Sequence, residues 1–409
     1  MVAAVEALML DSLIRSESGI PMIEAFRKQY GSVEGLRIFR APGRVNLIGE
    51  HTDYSLGFVL PAALELATYV ATAPNSEGML RIYSEDRREL CEWPVADLAG
   101  LKPSKQWTDY PLGVARELME AGFPLAPANL LIRSTVPDGG GLSSSAALEV
   151  STALALLLGR PLGPTELAKL AQRGEHRFVG NPCGIMDQYI SVFGREHAAV
   201  EIDCRSLEHR LVQLPAGVTF LAVNTMVKHA LSGSAYRDRV AECAAAVQGL
   251  RRHYPEARTL RDISVEQFEP VAHELPPVVQ RRARHVVSED ARVRAFVEAS
   301  ARGDLAAMGR LLVESHRSLQ HDYEVSCEEL DFLVDRALEI DGVIGSRMTG
   351  GGFGGCTVTM VREDAAEAFA AKIARAYEDK YAVKPRVYPC RPSAGAAEVA
   401  DFATVPAKA

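Results

Sequence analysis

Three glycine-bearing segments of this 409-residue chain hold most of the side chains able to do chemistry. The first, Pro137-Asp138-Gly139-Gly140-Gly141-Leu142-Ser143-Ser144-Ser145-Ala146, falls between a strand-like run and a helix-like one. Glycines let backbone N–H groups approach an anion closely, and a helix start adds unsatisfied donors and partial positive charge. Three serines add hydroxyls for phosphate or a metal. In physical terms this is a triphosphate cradle; a flexible turn before a helix is the competing reading. No Gly-Lys-Ser/Thr follows, so it is not a Walker A loop, and the third glycine of a dinucleotide fingerprint is missing.

The second segment, Gly43-Arg44-Val45-Asn46-Leu47-Ile48-Gly49-Glu50-His51-Thr52-Asp53-Tyr54, packs a base, an amide, two acids and an imidazole together. Sugar recognition needs such a mixture, because hydroxyls both donate and accept hydrogen bonds. Metal binding by Glu50, His51 and Asp53 ranks lower, since no further ligand cluster of suitable type follows. A solvated polar turn explains the polarity but not this mix beside two glycines. In the third segment, Ser346-Arg347-Met348-Thr349-Gly350-Gly351-Gly352-Phe353-Gly354-Gly355, five of the last six residues are glycine. That points to close backbone packing, against the first loop or a ligand, or else to a mobile hairpin. Asp187, in Gly184-Ile185-Met186-Asp187-Gln188, reads alone as a helix cap. It becomes a catalytic candidate only beside an arginine and a phosphate cradle.

The elements that must position these segments are mixed. Residues 58 to 93 read as strands, with Asn75-Ser76-Glu77-Gly78 as a turn. A helix is expected over Trp107 to Glu120, a strand over Leu130 to Val136, a serine-capped helix over Ser143 to Leu158 and another over Thr165 to Phe178. After a strand at Phe220 to Asn224 the second half is mainly helical: Tyr236 to His253, Ala291 to Ala301, Asp304 to Gln320 and Cys327 to Ile340. The chain closes with strand Cys356 to Val361, helix Asp364 to Tyr377 and strand Arg386 to Cys390. Residues 1 to 30 also show helical spacing. This order indicates an α+β fold rather than repeated βαβ units.

Composition narrows the function classes. The charge is 45 − 53 = −8, without the basic excess that a phosphate backbone attracts, so no nucleic acid partner is expected. The apolar stretch Ala153 to Leu158 is too short to span a membrane. Two acids precede the first base, Arg15, the reverse of a secretory signal. Seven scattered cysteines without a C-x-x-C fit reduced thiols in a cytoplasmic setting. His176, His316 and His321 read as surface or core histidines, Trp93 as packing, and Glu328-Glu329-Leu330-Asp331 as a solvated helix start.

Taken together and in this order, the segments resemble the GHMP kinase superfamily, and within it the galactokinases. Gly43 to Tyr54 is similar to the galactokinase signature, as are Pro182 to Gln188 and Val227-Lys228-His229 with Tyr236. The likeness runs from about residue 36 to Pro392-Ser393-Ala394-Gly395. One departure is visible: Ser55-Leu56-Gly57 stands where many galactokinases have Asn-x-Gly. The resemblance implies a two-domain fold, with an N-terminal domain like ribosomal protein S5 domain 2 over 1–210 and a ferredoxin-like C-terminal domain over 211–409, the last strands able to return to the first. It implies ATP-dependent phosphorylation of the C1 hydroxyl of α-D-galactose, in the Leloir route of galactose metabolism.

Carried over by position, Asp187 would face the C1 hydroxyl as base or orienting group, and Arg44 would lie beside it and stabilise charge on the moving phosphoryl. Glu50, His51, Asp53, Gly184 and Tyr236 would hold the sugar. Gly139, Gly140, Gly141, Leu142, Ser143, Ser144 and Ser145 would wrap the phosphates of ATP, Ser144 and Glu175 would hold Mg²⁺, and Trp107 would lie near the adenine. A monomer is expected. Three alternatives keep their place: a kinase for N-acetylgalactosamine, arabinose or a uronic acid; a non-catalytic galactose and ATP sensor, against which Ser145 and Ala146 count; and, remotely, a nicotinamide oxidoreductase.

Overall fold

The structure, a computed structural model, describes residues 21–228 and 232–406. Most of the helical spacing over residues 1 to 30 therefore lies outside the described residues, as does His229. The part that is described forms helix α1 (Met22–Tyr30).

The first half builds an extended sheet. Strands β1 (Arg37–Asn46), β2 (Phe58–Val59), β3 (Pro61–Pro74), β4 (Met79–Ser84) and β5 (Glu89–Pro94) follow one another. Helix α2 (Asp109–Glu120), strand β6 (Ala128–Ser134) and helices α3 (Ser144–Leu157), α4 (Pro164–Gly174) and α5 (Met186–Phe193) come next, then strands β7 (Ala198–Asp203) and β8 (His209–Gln213). The second half contributes β9 (Val218–Lys228), α6 (Ser232–Leu250), α7 (Val265–Val271), α8 (Pro277–Arg302), α9 (Leu305–Ser318) and α10 (Glu328–Leu338). It ends with β10 (Val343–Thr349), β11 (Gly354–Arg362), α11 (Ala366–Tyr381), β12 (Arg386–Pro389) and β13 (Ala397–Glu398).

Three sheets result, in the orders β13-β1-β3-β6-β4-β5, β10-β11-β9-β12 and β2-β7-β8. The near-terminal β13 pairs antiparallel with β1, so the end of the chain closes the edge of the first sheet. Helix α3 is apolar on almost every side, with Ala146, Ala147, Val150, Ala153 and Leu156 buried, because it is wedged between the large sheet and its neighbouring helices. The two halves share a core: Val45, Leu47 and Leu60 pack with Phe220, Val358 and Phe296. Side chains from both halves therefore pack directly against one another, which is what a site built from distant segments requires.

One expectation from the sequence needs revision. The helix expected over Ala291 to Ala301 begins fourteen residues earlier, at Pro277. Gln280, Arg281, Arg282, Arg284 and His285 mask its apolar stripe, and proline suits a first helical turn. The run Val343–Thr349 is a buried strand despite Gly345, Ser346 and Arg347, because those polar groups find partners inside the protein. Asp304 does cap α9: its side chain accepts from the Ala307 N–H at 2.9 Å. His316 is buried, whereas His176 and His321 are exposed.

Candidate active site

Arg44 sits on β1 just past a register shift between Pro42 and Arg44. A bulge of this kind re-aims a side chain and accommodates a proline that cannot join the ladder. The Arg44 N–H donates to the Leu142 carbonyl at 3.0 Å, tying the strand to the first glycine loop. Its guanidinium, in a residue only 4% exposed, donates from Nε to Asp187 Oδ1 and from Nη2 to Asp187 Oδ2, both at 2.9 Å. The remaining Nη1 donates to the Gly141 carbonyl at 2.6 Å. A bidentate, charge-assisted pair of this type fixes orientation as well as charge. Asp187 occupies the first turn of α5. Ser143 precedes α3 but does not cap it; its hydroxyl donates to Asp187 Oδ2 at 2.5 Å. Arg44, Asp187 and the glycine loop thus form one hydrogen-bonded unit, although 143 residues separate the first two.

Two cavities flank this unit. One, of about 210 Å³, is lined by Arg44, Glu50, His51, Asp53, Glu175, Gly184, Asp187 and Tyr236. The other, of about 620 Å³, is lined by Arg87, Trp107, Asp138, Ser144 and Ser145 among others. Ser145 faces both. Trp107 donates through Nε1 to Glu89 at 2.8 Å on the wall of the larger cavity. Gly139 and Gly141 in the loop between strand β6 and helix α3 adopt positive φ.

In the smaller cavity Asp53 and Gly184 touch so closely that a Cβ at 184 would lie 1.8 Å from Asp53 Oδ2, so only glycine fits. Burial, reinforced by the charge of Asp187, pushes the Asp53 carboxyl up to about 7, with Arg44 pulling the other way. Glu175 is also raised, first by burial. Its oxygens accept from Asn181 at 2.7 Å, from Gln188 at 2.7 Å and from the Cys183 thiol at 3.3 Å. Gln188 also donates to the fully buried Glu149 at 2.9 Å. Glu50, Asp53, Glu175 and Asp187 therefore line this cavity beside the single guanidinium of Arg44, leaving the site short of positive charge.

Glu50 is engaged within the protein. Its Oε1 accepts from the Gly350 N–H at 2.7 Å, from Thr349 at 3.0 Å and from Arg347 at 3.5 Å; its Oε2 accepts from Asn46 at 3.0 Å. Any sugar contact it makes shares those oxygens. The donors to Oε1 come from the third glycine segment, which also packs on the first: a Cβ at Gly350 would lie 2.8 Å from the Gly141 carbonyl oxygen. Close packing against the first loop therefore describes this segment, and a mobile hairpin does not.

Several residues near the site have no local signal in the sequence. From α8, Glu289 accepts from the Gly49 N–H at 3.0 Å, Asp290 accepts from the Phe58 N–H at 2.8 Å and His285 meets the Glu50 carbonyl at 3.1 Å. They clamp the 49–58 segment from outside. Tyr323 reaches Tyr54 from the far half of the chain.

Comparison with known proteins agrees with this geometry. Residues 24–74 match the galactokinase galactose-binding signature, residues 109–195 the N-terminal domain of GHMP kinases and residues 296–379 their C-terminal domain. A galactokinase from Roseiflexus sp. (strain RS-1) is 45% identical over 382 residues, covering 93% of this chain and 97% of that protein. The chain belongs to the galactokinase family. The galactokinase of Chloroflexus aurantiacus is 46% identical over 370 residues, covering 90% and 95%. The crystal structure of Lactococcus lactis galactokinase complexed with galactose superposes with a TM-score of 0.88 at 32% identity, covering 92% of this chain and 99% of that one. A mevalonate kinase, at 18% identity and a TM-score of 0.64, shares the fold. The two-domain GHMP kinase fold is thus the architecture of this galactokinase family member.

The raised Asp53 carboxyl carries a pH signature. A carboxyl whose folded value lies above its unfolded one favours the folded state when protonated, and that advantage is lost as pH rises towards 7. With Asn at 53 this dependence disappears. The thermal midpoint of Asp53→Asn relative to the wild type should therefore climb between pH 5 and pH 8 in the absence of sugar. A difference that stays flat with pH would assign the burial strain to another group.

Proposed function

We propose that this galactokinase transfers the γ-phosphoryl group of ATP to the C1 hydroxyl of α-D-galactose, giving α-D-galactose 1-phosphate and ADP. The observation that carries the reading is the bidentate Arg44–Asp187 pair, set between a small polar cavity and a glycine loop opening a helix. The sugar occupies the smaller cavity, and the nucleotide the larger one beside Trp107, with its phosphates over Gly139 to Ser145. The C1 oxygen forms the new bond to phosphorus, the bond from phosphorus to the β-bridging oxygen breaks, and Asp187 takes the hydroxyl proton. Arg44 balances the Asp187 charge and faces the migrating group, since phosphoryl transfer asks chiefly for positioning and for cations around it.

Asp53, His51, Tyr236 and Gly184 hold the sugar hydroxyls, with Glu50 contributing through the oxygen that accepts only from Asn46. The donor set suits Mg²⁺, which is usually held by one or two carboxylates plus substrate phosphates. Among the described residues no group of three or more His, Cys, Asp or Glu could hold a metal alone. Glu175 and Ser144 would hold the ion together with phosphate oxygens, where it would spread the charge of the triphosphate.

The test is a panel of free sugars with Mg-ATP, with the phosphorylated position determined by NMR. Galactose should be the best substrate, modified at O1. Faster turnover of N-acetylgalactosamine, arabinose or a uronic acid would move the assignment to that sugar. Binding of ATP and galactose without ADP release would favour the sensor. Among the described residues no helix is long and apolar enough to cross a membrane; a monomeric cytoplasmic enzyme is the arrangement we infer.

A further inference from the structure

His51 lines the sugar cavity with a backbone φ of +63°, a conformation a non-glycine residue keeps only where its surroundings enforce it. Its ring lies against Tyr54, Tyr236 and Tyr323, at centroid separations of 5.9, 5.6 and 4.8 Å. Nδ1 is 2.9 Å from the Tyr54 hydroxyl. That hydroxyl meets the hydroxyl of Tyr323, which lies 3.2 Å from Cys243 Sγ. The other ring nitrogen, Nε2, is buried without a hydrogen-bond partner in the protein. Tyr323 is fully buried and comes from the turn that follows α9, far from the catalytic pair.

A chain of four such groups can point its protons in two directions. Burial holds the imidazole neutral, so one ring nitrogen carries a proton and the other a lone pair. In one direction Nδ1–H donates to Tyr54, Tyr54 to Tyr323, and Tyr323 to the sulfur, which is a weak acceptor. In the other, the thiol donates to Tyr323, Tyr323 to Tyr54, and Tyr54 to Nδ1, leaving the proton on Nε2. The cavity favours the second direction: an N–H on the unpartnered Nε2 is stabilised among carboxyl groups such as Asp53 and Asp187, where a bare lone pair is not.

We propose that Tyr323 and Cys243 are positioning residues that lock His51 in the Nε2–H tautomer through Tyr54. The cavity then presents a neutral donor at His51 beside the carboxylates of Asp53 and Asp187. A sugar hydroxyl can give its proton to a carboxylate while accepting one from His51.

The inference rests on the sugar reading of the smaller cavity, so the first measurement is made without sugar. The full-length protein, labelled with ¹⁵N-histidine, should show for His51 a protonated Nε2 and an unprotonated Nδ1, assigned by comparison with His51→Gln. A protonated Nδ1 overturns the relay even where galactose is turned over normally. Tyr323→Phe should then raise KM for galactose about 3- to 10-fold, the range expected for losing one neutral hydrogen bond. Its kcat and KM for ATP should stay within about twofold, and the His51 tautomer should become mixed. An unchanged galactose KM together with an unchanged tautomer in Tyr323→Phe also overturns the proposal.

Discussion

Asp187→Asn should lose nearly all turnover while both ligands still bind. The carboxylate accepts from both forks of Arg44 and from Ser143, and it faces the cavity in which the C1 hydroxyl is proposed to lie. An amide has the same shape but cannot take the hydroxyl proton. It also turns an N–H₂ group towards a guanidinium or a serine hydroxyl, so one of the three hydrogen bonds becomes donor against donor. General base assistance is typically worth ~10²- to 10⁴-fold, and the misaligned arginine adds to the loss. We expect kcat to fall by at least ~10³-fold, with KM for galactose and ATP moving only several-fold. Steady-state kinetics read the first quantity and calorimetry the second. Near-normal kcat would remove Asp187 from the chemistry and leave Arg44 to act through charge alone. Ser143→Ala should be far milder, because it removes one neutral donor from a carboxylate that keeps its bidentate arginine.

The sequence reveals these parts unequally, for physical reasons. The triphosphate cradle and the sugar-type segment are legible because their chemistry is local: glycines, serines and mixed polar groups within ten or so residues. The Arg44–Asp187 pairing is not local, and only the family resemblance brings the two together on paper. In space the pairing depends on the start of α5, which the sequence suggests, and on a bulge in β1, which it does not. Tyr323, Cys243 and the α8 clamp are less legible still, since each lies on or beside an amphipathic helix whose pattern explains it without any site. Glu50 shows the opposite difficulty. Its residue type and neighbours suit a sugar ligand, yet most of its hydrogen-bonding capacity is used to join the two halves of the chain. A carboxylate serves either role, and only its partners tell them apart.

Those partners make Arg347→Met the second large effect expected. Arg347 has no exposed surface, and it holds four groups of the other half or of α9. Its Nη1 donates to the carbonyls of Asn46 and Leu47 at 3.2 Å and reaches Glu50 at 3.5 Å, while Nε donates to Ser315 at 3.1 Å. Ser315 in turn donates to Glu289, the residue that holds the Gly49 N–H. Methionine fills much of the volume but leaves a buried carboxylate without its cation, the Leu47 carbonyl without its donor and the Asn46 carbonyl with only the Thr349 hydroxyl in reach. Breaking one side of a buried ion pair in this way typically costs about 3–5 kcal/mol. Denaturation should show a loss of that order, and KM should rise for both substrates, because Thr349 and Gly350 support Glu50 on one side and the Gly141 loop on the other. Adding Glu50→Gln should recover part of the stability, since the stranded charge is then gone, and a double-mutant cycle measures that coupling directly. Strict additivity of the two changes would mean that Arg347 acts through the backbone carbonyls and Ser315, not through Glu50. A coupling of ~1 kcal/mol or more would identify the Glu50–Arg347 pair as the joint through which the far half of the chain shapes the sugar segment.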